Sequence, residues 1–576
     1  MRFIDLHLGF AIAIIPYVTR ATQTPFQKAT GAESTGLDFN DLSLDPDANA
    51  TGNLIFEGVN SLLQHWPNTR YRNGHNIVPG TVPVGTLLYH GRGDANLPTS
   101  PEWTATDPEH SYHFCSEAVP GGARNGDGCW HLTLAVRRPL RVLYLDGSSA
   151  ANMKDGTLDA QDLLLWGKVD PERWLDEWTR IKDMCAWGKE FGIDGYVRME
   201  MNFEVMLCDF HDGVELVSAD FLTAWGARYT TPGWLNVSLD TDNTTNKTRP
   251  LVHQLLRFEM LRAGAWHNQH PGETRVVLDL TRLVSFYDPA LAPSLVAARA
   301  GKPRWDHRLQ NISATDLARV QARLRTVLTS SNFLSDIILN TSANTEGGRG
   351  SGSGVDWRSL FRVVSDRYAE RLEMLGYLLN TTTPETVHER ARVVQTQLRV
   401  MLVPYILHSA RPPLPSASEA ELDAWATPVW RVCATRHTAH IHTHAMTLTL
   451  TESEWVLLRA LDETNREICR VVVGMWAAGV HAGLDELIPP AREPASFAQL
   501  LGGVVHRWRR DADALMAWLD WGVWVKCRPA CGVEETCYLP TWPYFWASEE
   551  DAEDEEGEWK RPRPRCIRQF EPYSRL

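Results

Sequence analysis

Glu204 stands second in the run Phe203-Glu204-Val205-Met206-Leu207, where an ionisable side chain among apolar neighbours needs a chemical or structural reason. Glu200 stands four residues earlier. In a continuous strand the two carboxylates share one face, an arrangement that suits glycoside hydrolysis. His90 ends another apolar run and is followed by Gly91 and Arg92, whose guanidinium can meet a phosphate. His437, His440, His442 and His444 form a second cluster. The last three alternate, so on a strand they share a face that can hold a metal, or simply make that face polar. Cys527, Cys531 and Cys537 offer sulfur ligands for zinc or partners for disulfides. Other chemistries are excluded by what is missing. There is no Gly-x-Ser-x-Gly elbow for a hydrolase and no Walker or Rossmann phosphate loop. Arg92-Gly93-Asp94 spells an adhesion tripeptide, a triplet that chance also supplies.

The elements that must carry these side chains lie between about 54 and 225. Strands are expected at Gly85–His90, Trp130–Val136, Leu140–Leu145 and Glu204–Phe210. Thr106 or Asp107 caps a short helix, with Pro108 in its first turn and Ser111, Tyr112 and Phe114 on its body. A longer helix is expected over Pro171–Phe191. Trp174, Trp178, Ile181 and Cys185 share its face, and Gly192 sits where a helix end wants positive φ.

This order resembles the ADP-ribosyltransferase superfamily of the His-Tyr-Glu type over roughly residues 80–220. The residues that carry the resemblance are Tyr89-His90-Gly91 at a strand end and Trp103 to Glu109 leading into a short helix. The succession GIDGY…EVMLCDF…VELVS over Gly192–Ser218 completes it. The resemblance implies an α+β fold with a split β domain and NAD as substrate. ADP-ribose would go to a protein acceptor, or NAD would be hydrolysed. It assigns Glu204 to stabilising the oxocarbenium character at the ribose, and His90 to a ribose hydroxyl. Gly91 and Arg92 would stand beside the cofactor, and Trp103 or Tyr112 would stack on the nicotinamide. The rival reading is a non-catalytic secreted binding protein that keeps the fold and works through its surfaces.

Export is expected from the first residues. Arg2 precedes the apolar run Leu6–Ile15, and Thr19-Arg20-Ala21 offers a cleavage site, so 1–21 reads as a signal peptide. Sequons at Asn49, Asn236, Asn243, Asn246, Asn311, Asn340 and Asn380 agree with a glycosylated surface. The ten cysteines fall into groups of even size: Cys115, Cys129, Cys185 and Cys208; Cys433 and Cys469; Cys527, Cys531, Cys537 and Cys566. Such grouping predicts disulfides closed within each group.

The rest of the 576 residues divide by composition. Residues 22–53 read as a flexible leader and 226–250 as a glycosylated linker. A mainly α-helical domain is expected over 251–488, with helices at Leu251–Arg262, Ala314–Leu339, Val355–Leu379, Pro384–Leu407 and Ser453–His481. Capping residues Thr451 to Glu454 open the last of these. Glu346–Gly354 reads as a flexible loop, and 489–576 as a Cys/Trp-rich segment with an acidic and basic tail. Hydrophobic content of 43% affords large cores, and a net charge of -14 without basic blocks argues against nucleic acid as partner. No stretch is long and apolar enough for a stable membrane span.

Overall fold

In the computed structural model, the described residues are 50–115, 129–222, 259–329, 352–381, 386–412, 424–444, 450–488, 497–541 and 561–570. The expected signal peptide, nearly all of the leader and the whole 226–250 linker fall outside them, as do residues 346–351 of the expected loop. Of the sequon asparagines, Asn311 and Asn380 are described, and both are exposed.

The chain runs through α1 (Gly52–Asn60), α2 (Trp66–Thr69), β1 (Asn76–Val82), β2 (Leu87–Arg92), β3 (Glu102–Ala105) and α3 (Pro108–Ser111). It continues with β4 (Cys129–Val136), β5 (Leu140–Leu145), α4 (Asp159–Trp166), α5 (Glu177–Gly188), β6 (Gly195–Met199), β7 (Phe203–Leu207) and β8 (Val214–Leu222). Two short strands follow, β9 (Val277–Leu278) and β10 (Val284–Ser285). The helices α6 (Pro293–Arg299), α7 (Ala314–Thr329), α8 (Trp357–Asn380), α9 (Val387–Leu402), α10 (Thr427–Thr435), α11 (Ala439–His444), α12 (Glu452–His481) and α13 (Phe497–Leu519) come next. A small ribbon, β11 (Glu535–Tyr538) with β12 (Arg565–Arg568), closes the described chain. The fold is α+β.

The sheet order is β10-β1-β5-β6-β7-β3-β2-β4-β8, with β9 also on β1. Only β5 and β6 run parallel among these pairs. β2 pairs with β4 along its whole length but meets β3 at one register pair, Tyr89 with Ala105. The sheet is thus split near its middle.

One face of the sheet presents Val78, Val142, Tyr144, Val197, Val205, Leu207, Leu88 and Leu134 to the helices. These residues join Phe56, Trp357, Phe361, Trp476, Trp508 and Trp521 in one continuous core. The other face, with Ile77, Leu143, Leu145, Tyr196 and Met206, is covered by α4 to α7. Two expectations about boundaries are corrected by this packing. Residues 52 and 53, assigned to the leader, begin α1, which packs on α12 and α8 rather than on the sheet alone. The helical region after 251 also contributes β9 and β10 to the sheet and shares its main core.

Other local expectations shift for physical reasons. β1, which none of the expected strands covered, contains Pro79 and Gly80. Pro79 stands opposite Leu143 of β5 but turns its carbonyl to Asp279 on the other edge, where β10 reaches only Asn76 and Ile77 and β9 only Gly80 and Thr81, so its missing N–H falls in the gap between them. The helix expected over Pro171–Phe191 is broken into a 3-10 turn at Pro171–Arg173 and α5, where Arg173 turns back onto Asp176 and the face of Trp166. Gly192 does take positive φ, +64°. α12 opens with the reciprocal Thr451–Glu454 capping box.

Disulfides close within the expected groups: Cys185–Cys208, Cys433–Cys469, Cys527–Cys537 and Cys531–Cys566, and Cys129 is also bonded. This removes the zinc reading of Cys527, Cys531 and Cys537, whose sulfurs are oxidised. The stretch that carries His440, His442 and His444 is helical rather than extended, so alternate positions no longer share a face. His442 is instead engaged by Asp462 at 2.7 Å, an acid that also accepts from the Thr438 hydroxyl. Among the described residues no helix is long and apolar enough to cross a membrane.

Candidate functional site

Register decides which way each predicted site residue faces. Tyr89 pairs with Ala105, and Ala105 pairs with Glu204, so Tyr89, Ala105 and Glu204 point to one side. His90, next to Tyr89, points to the other. Side-chain contacts agree. His90 lies against Phe210, a member of the core shared with the helices, whereas Glu204 meets Arg198 on the face covered by α4 and α5.

His90 is 2% exposed. Its Nδ1–H donates to the Trp103 carbonyl at 2.6 Å, and Nε2 lies 3.0 Å from the Glu102 carboxylate. That hydrogen bond crosses the split between β2 and β3. It supplies a link where the backbone ladder has one register pair, so the imidazole has a structural task. Gly91 pairs with His131 on β4, and Arg92 binds Asp94 at 2.9 Å.

Trp103 pairs with Met206, so its ring faces the Glu204 side and meets Trp178 edge-on, with centroids 4.7 Å apart. It therefore does not stack beside His90. Tyr112 opens the 3-10 turn Tyr112–Cys115, which packs on β2.

Glu204 is 4% exposed and sits in a chain of buried ions. Arg198 reaches it with Nε at 2.9 Å and Nη2 at 2.7 Å, and the same Nη2 meets Glu177 at 2.7 Å. Arg198 Nη1 donates to Gln161 at 3.0 Å. Glu177 also holds Arg180, which pairs with Asp162 at 2.5 Å. Burial pushes the Glu204 carboxyl above its usual range, and Arg198 takes part of that back. Burial alone would lower Arg198, but Glu177 and Glu204 hold it above its ordinary value. The two predicted catalytic residues are thus not brought together.

Glu200 lies in the turn between β6 and β7, so the two carboxylates do not line one strand face. Asp107 stands at the start of α3 as expected, but its side chain does not cap the helix. It accepts from Asn202 at 2.7 Å and Arg275 at 3.0 Å, and meets His267 at 3.3 Å. Burial would raise this carboxyl, but His267 and Arg275 win and hold it down at about 2. The network anchors Asn202, the residue that leads into β7.

Sequence reasoning missed Arg198, Glu177, Arg180 and Glu102. A signal existed for Arg198: it stands in Gly-Tyr-Val-Arg-Met, a charge inside an apolar strand pattern like that of Glu204. Two opposite charges in neighbouring buried strands point to mutual pairing.

Comparison with known proteins covers this same region. A family model described as the YPL277C N-terminal domain matches residues 39–131 and 120–226. The chain is 30% identical over 298 residues to Uncharacterized protein YPL277C of Saccharomyces cerevisiae, covering 40% of this chain and 60% of that protein. It is also 30% identical over 297 residues to Uncharacterized protein YOR389W of the same yeast, covering 40% of this chain and 47% of that protein. The match thus spans under two thirds of either relative's length. No solved structure matches. What the chain shares with the yeast family model is the segment that builds β1 to β8.

Proposed function

We propose that this chain is a secreted binding protein whose split sheet is a scaffold and not a centre for ADP-ribosyl transfer. The position of Glu204 carries this reading. A carboxylate that stabilises a ribosyl cation must lie open on the side where the sugar binds. This one is buried, is held by Arg198, and faces away from His90. Secretion is supported by the disulfides, which persist in oxidising compartments, and by the exposure of Asn311 and Asn380.

The transferase reading keeps one observation in its favour. β2, β3 and β7, which bear His90, Trp103 and Glu204, are consecutive neighbours in the sheet. Incubating the purified full chain with labelled NAD separates the two. The binding reading expects no label on protein, no nicotinamide release and no NAD binding. Label transfer that disappears in Glu204→Gln would overturn it.

A further inference from the structure

β8 ends the sheet. Among the described residues β4 is its one neighbour, so its outer row of backbone N–H and C=O groups faces no strand. The opposite end of the sheet is closed differently, by β9 and β10, which are two residues long. β8 is nine residues long and carries no Lys or Pro, residues that guard a long edge. Four of its apolar side chains lie open: Leu216 is 39% exposed, Val217 58%, Phe221 54% and Leu222 38%. Such an edge is a template for another strand.

The order of its residues says which strand fits. Residues 216–222 read apolar, apolar, polar, small, polar, apolar, apolar, the same from either end. Ala219 stands opposite Leu132, Phe221 opposite Trp130 and Leu216 opposite Leu134, all on the side to which His90 points. Glu215, Ser218, Asp220 and Leu222 take the other side. Val217 is the extra residue where the register with β4 shifts.

A second β8 can be laid antiparallel to the first about a twofold axis at Ala219. With Val217 again left over, Ala219 faces its own copy, Ser218 faces Asp220, Leu216 faces Phe221 and Glu215 faces Leu222. The Leu216–Phe221 contact forms twice, as twofold symmetry requires, and extends the contact of Phe221 with Trp130, whose ring centroids are 5.2 Å apart. No acid meets an acid in this register. Moving the axis by one residue ends that. An axis at Asp220 sets Asp220 against itself, and one at Ser218 sets Asp220 against Glu215, and like charges directly opposite are destabilising. Within one chain both acids are already engaged, Glu215 by Arg137 at 3.0 Å and Asp220 by the Ser218 hydroxyl at 2.9 Å. We infer that β8 pairs with β8 of a second copy of this chain about Ala219, joining two sheets into one across a twofold axis.

Sedimentation of the full chain tests this. At about 100 μM it is expected to run at twice the chain mass. Phe221→Lys sets a charge against Leu216 of the second copy, and Leu216→Glu sets one against its Phe221. Each is expected to weaken dimerisation at least about tenfold with an unchanged circular dichroism spectrum, since both side chains are exposed. Mixing the two variants is expected to restore the dimer. The introduced lysine then meets the introduced glutamate, while the unaltered Leu216 and Phe221 keep their contact. Another dimer surface, or another register, gives no such rescue. A chain that stays monomeric at that concentration overturns the proposal, and is the result expected if a different segment or protein covers β8. So does a dimer that keeps its affinity in both folded variants, or variants that stay apart when mixed. The result with NAD bears on none of these outcomes.

Discussion

The carboxylate of Glu204 and the imidazole of His90 hang from strands two apart in one sheet and point to opposite sides of it. Each is committed locally: Glu204 to Arg198, His90 to the Trp103 carbonyl. A role in holding the sheet follows for both.

That role sets the cost of replacing Glu204. Glu204→Gln keeps the shape and a hydrogen-bond acceptor but removes the charge. Arg198 still has Glu177, so a loss of about 1–3 kcal/mol is expected. Glu204→Leu strips the acceptor as well and should cost about 3–5 kcal/mol, since a buried guanidinium loses a partner. Urea unfolding midpoints measure both. A neutral or stabilising Glu204→Leu would remove the structural role.

The junction between α8 and α12 rests on Glu454. Its carboxylate accepts from the Trp357 indole at 3.0 Å, from the Ser353 backbone N–H at 3.0 Å and from the Thr451 backbone N–H at 2.7 Å. Thr451→Ala removes one cap bond and the hydroxyl's bond to the Thr281 carbonyl, and should cost about 1–2 kcal/mol. Glu454→Ala orphans several buried donors and should cost clearly more, about 2–4 kcal/mol. Equal losses in chemical denaturation would show that the carboxylate does no more than cap α12.

Glu57 predicts a pH dependence of stability. Burial drives its carboxyl up to about 7, against the lowering influence of Arg304, the Gly522 N–H and Arg70. The folded state therefore holds a proton that the unfolded chain releases near 4.5. Between these values the native state binds more protons, so this group's contribution falls as pH rises and levels off above about 7. Glu57→Gln should remove a decline of about 3 kcal/mol across that window. Unfolding curves of both proteins at several pH values check it: parallel pH profiles would contradict the assignment.

The Cys185–Cys208 bridge ties α5 to the residue after β7 across a separation of 23. Replacing both cysteines by alanine should lower stability by about 2–4 kcal/mol. The sheet should persist in circular dichroism, because β7 keeps β3 and β6 as neighbours. Peptide mapping without reductant should recover Cys185–Cys208, Cys433–Cys469, Cys527–Cys537 and Cys531–Cys566.

The sequence was most legible where one local rule acted alone. Strong helical periodicity located α8, α9 and α12, and Thr451 with Glu454 marked the start of α12. Even cysteine groups foretold which bridges could close. β1 was hidden because Pro79 and Gly80 mimic a turn, while tertiary pairing supplies them with neighbours. The histidine run was misread because its alternation in sequence imitates a strand that packing does not permit. That His90 and Glu204 face opposite sides of the sheet is something no linear pattern reveals. Which face a strand residue occupies depends on register with partners far away in the chain, and a shift of one residue reverses it.

The lone register pair at Tyr89 and Ala105 has a mechanical consequence. Strands β10-β1-β5-β6-β7-β3 form one panel and β2-β4-β8 another, and the line between them is crossed by one backbone register pair, the His90 bond to the Trp103 carbonyl and the His90–Glu102 pair. Fluctuations that peel a well-laddered pair must break several rungs together, whereas this line parts at far lower cost. Amide exchange is therefore expected to set in along this seam before it reaches the rest of the sheet.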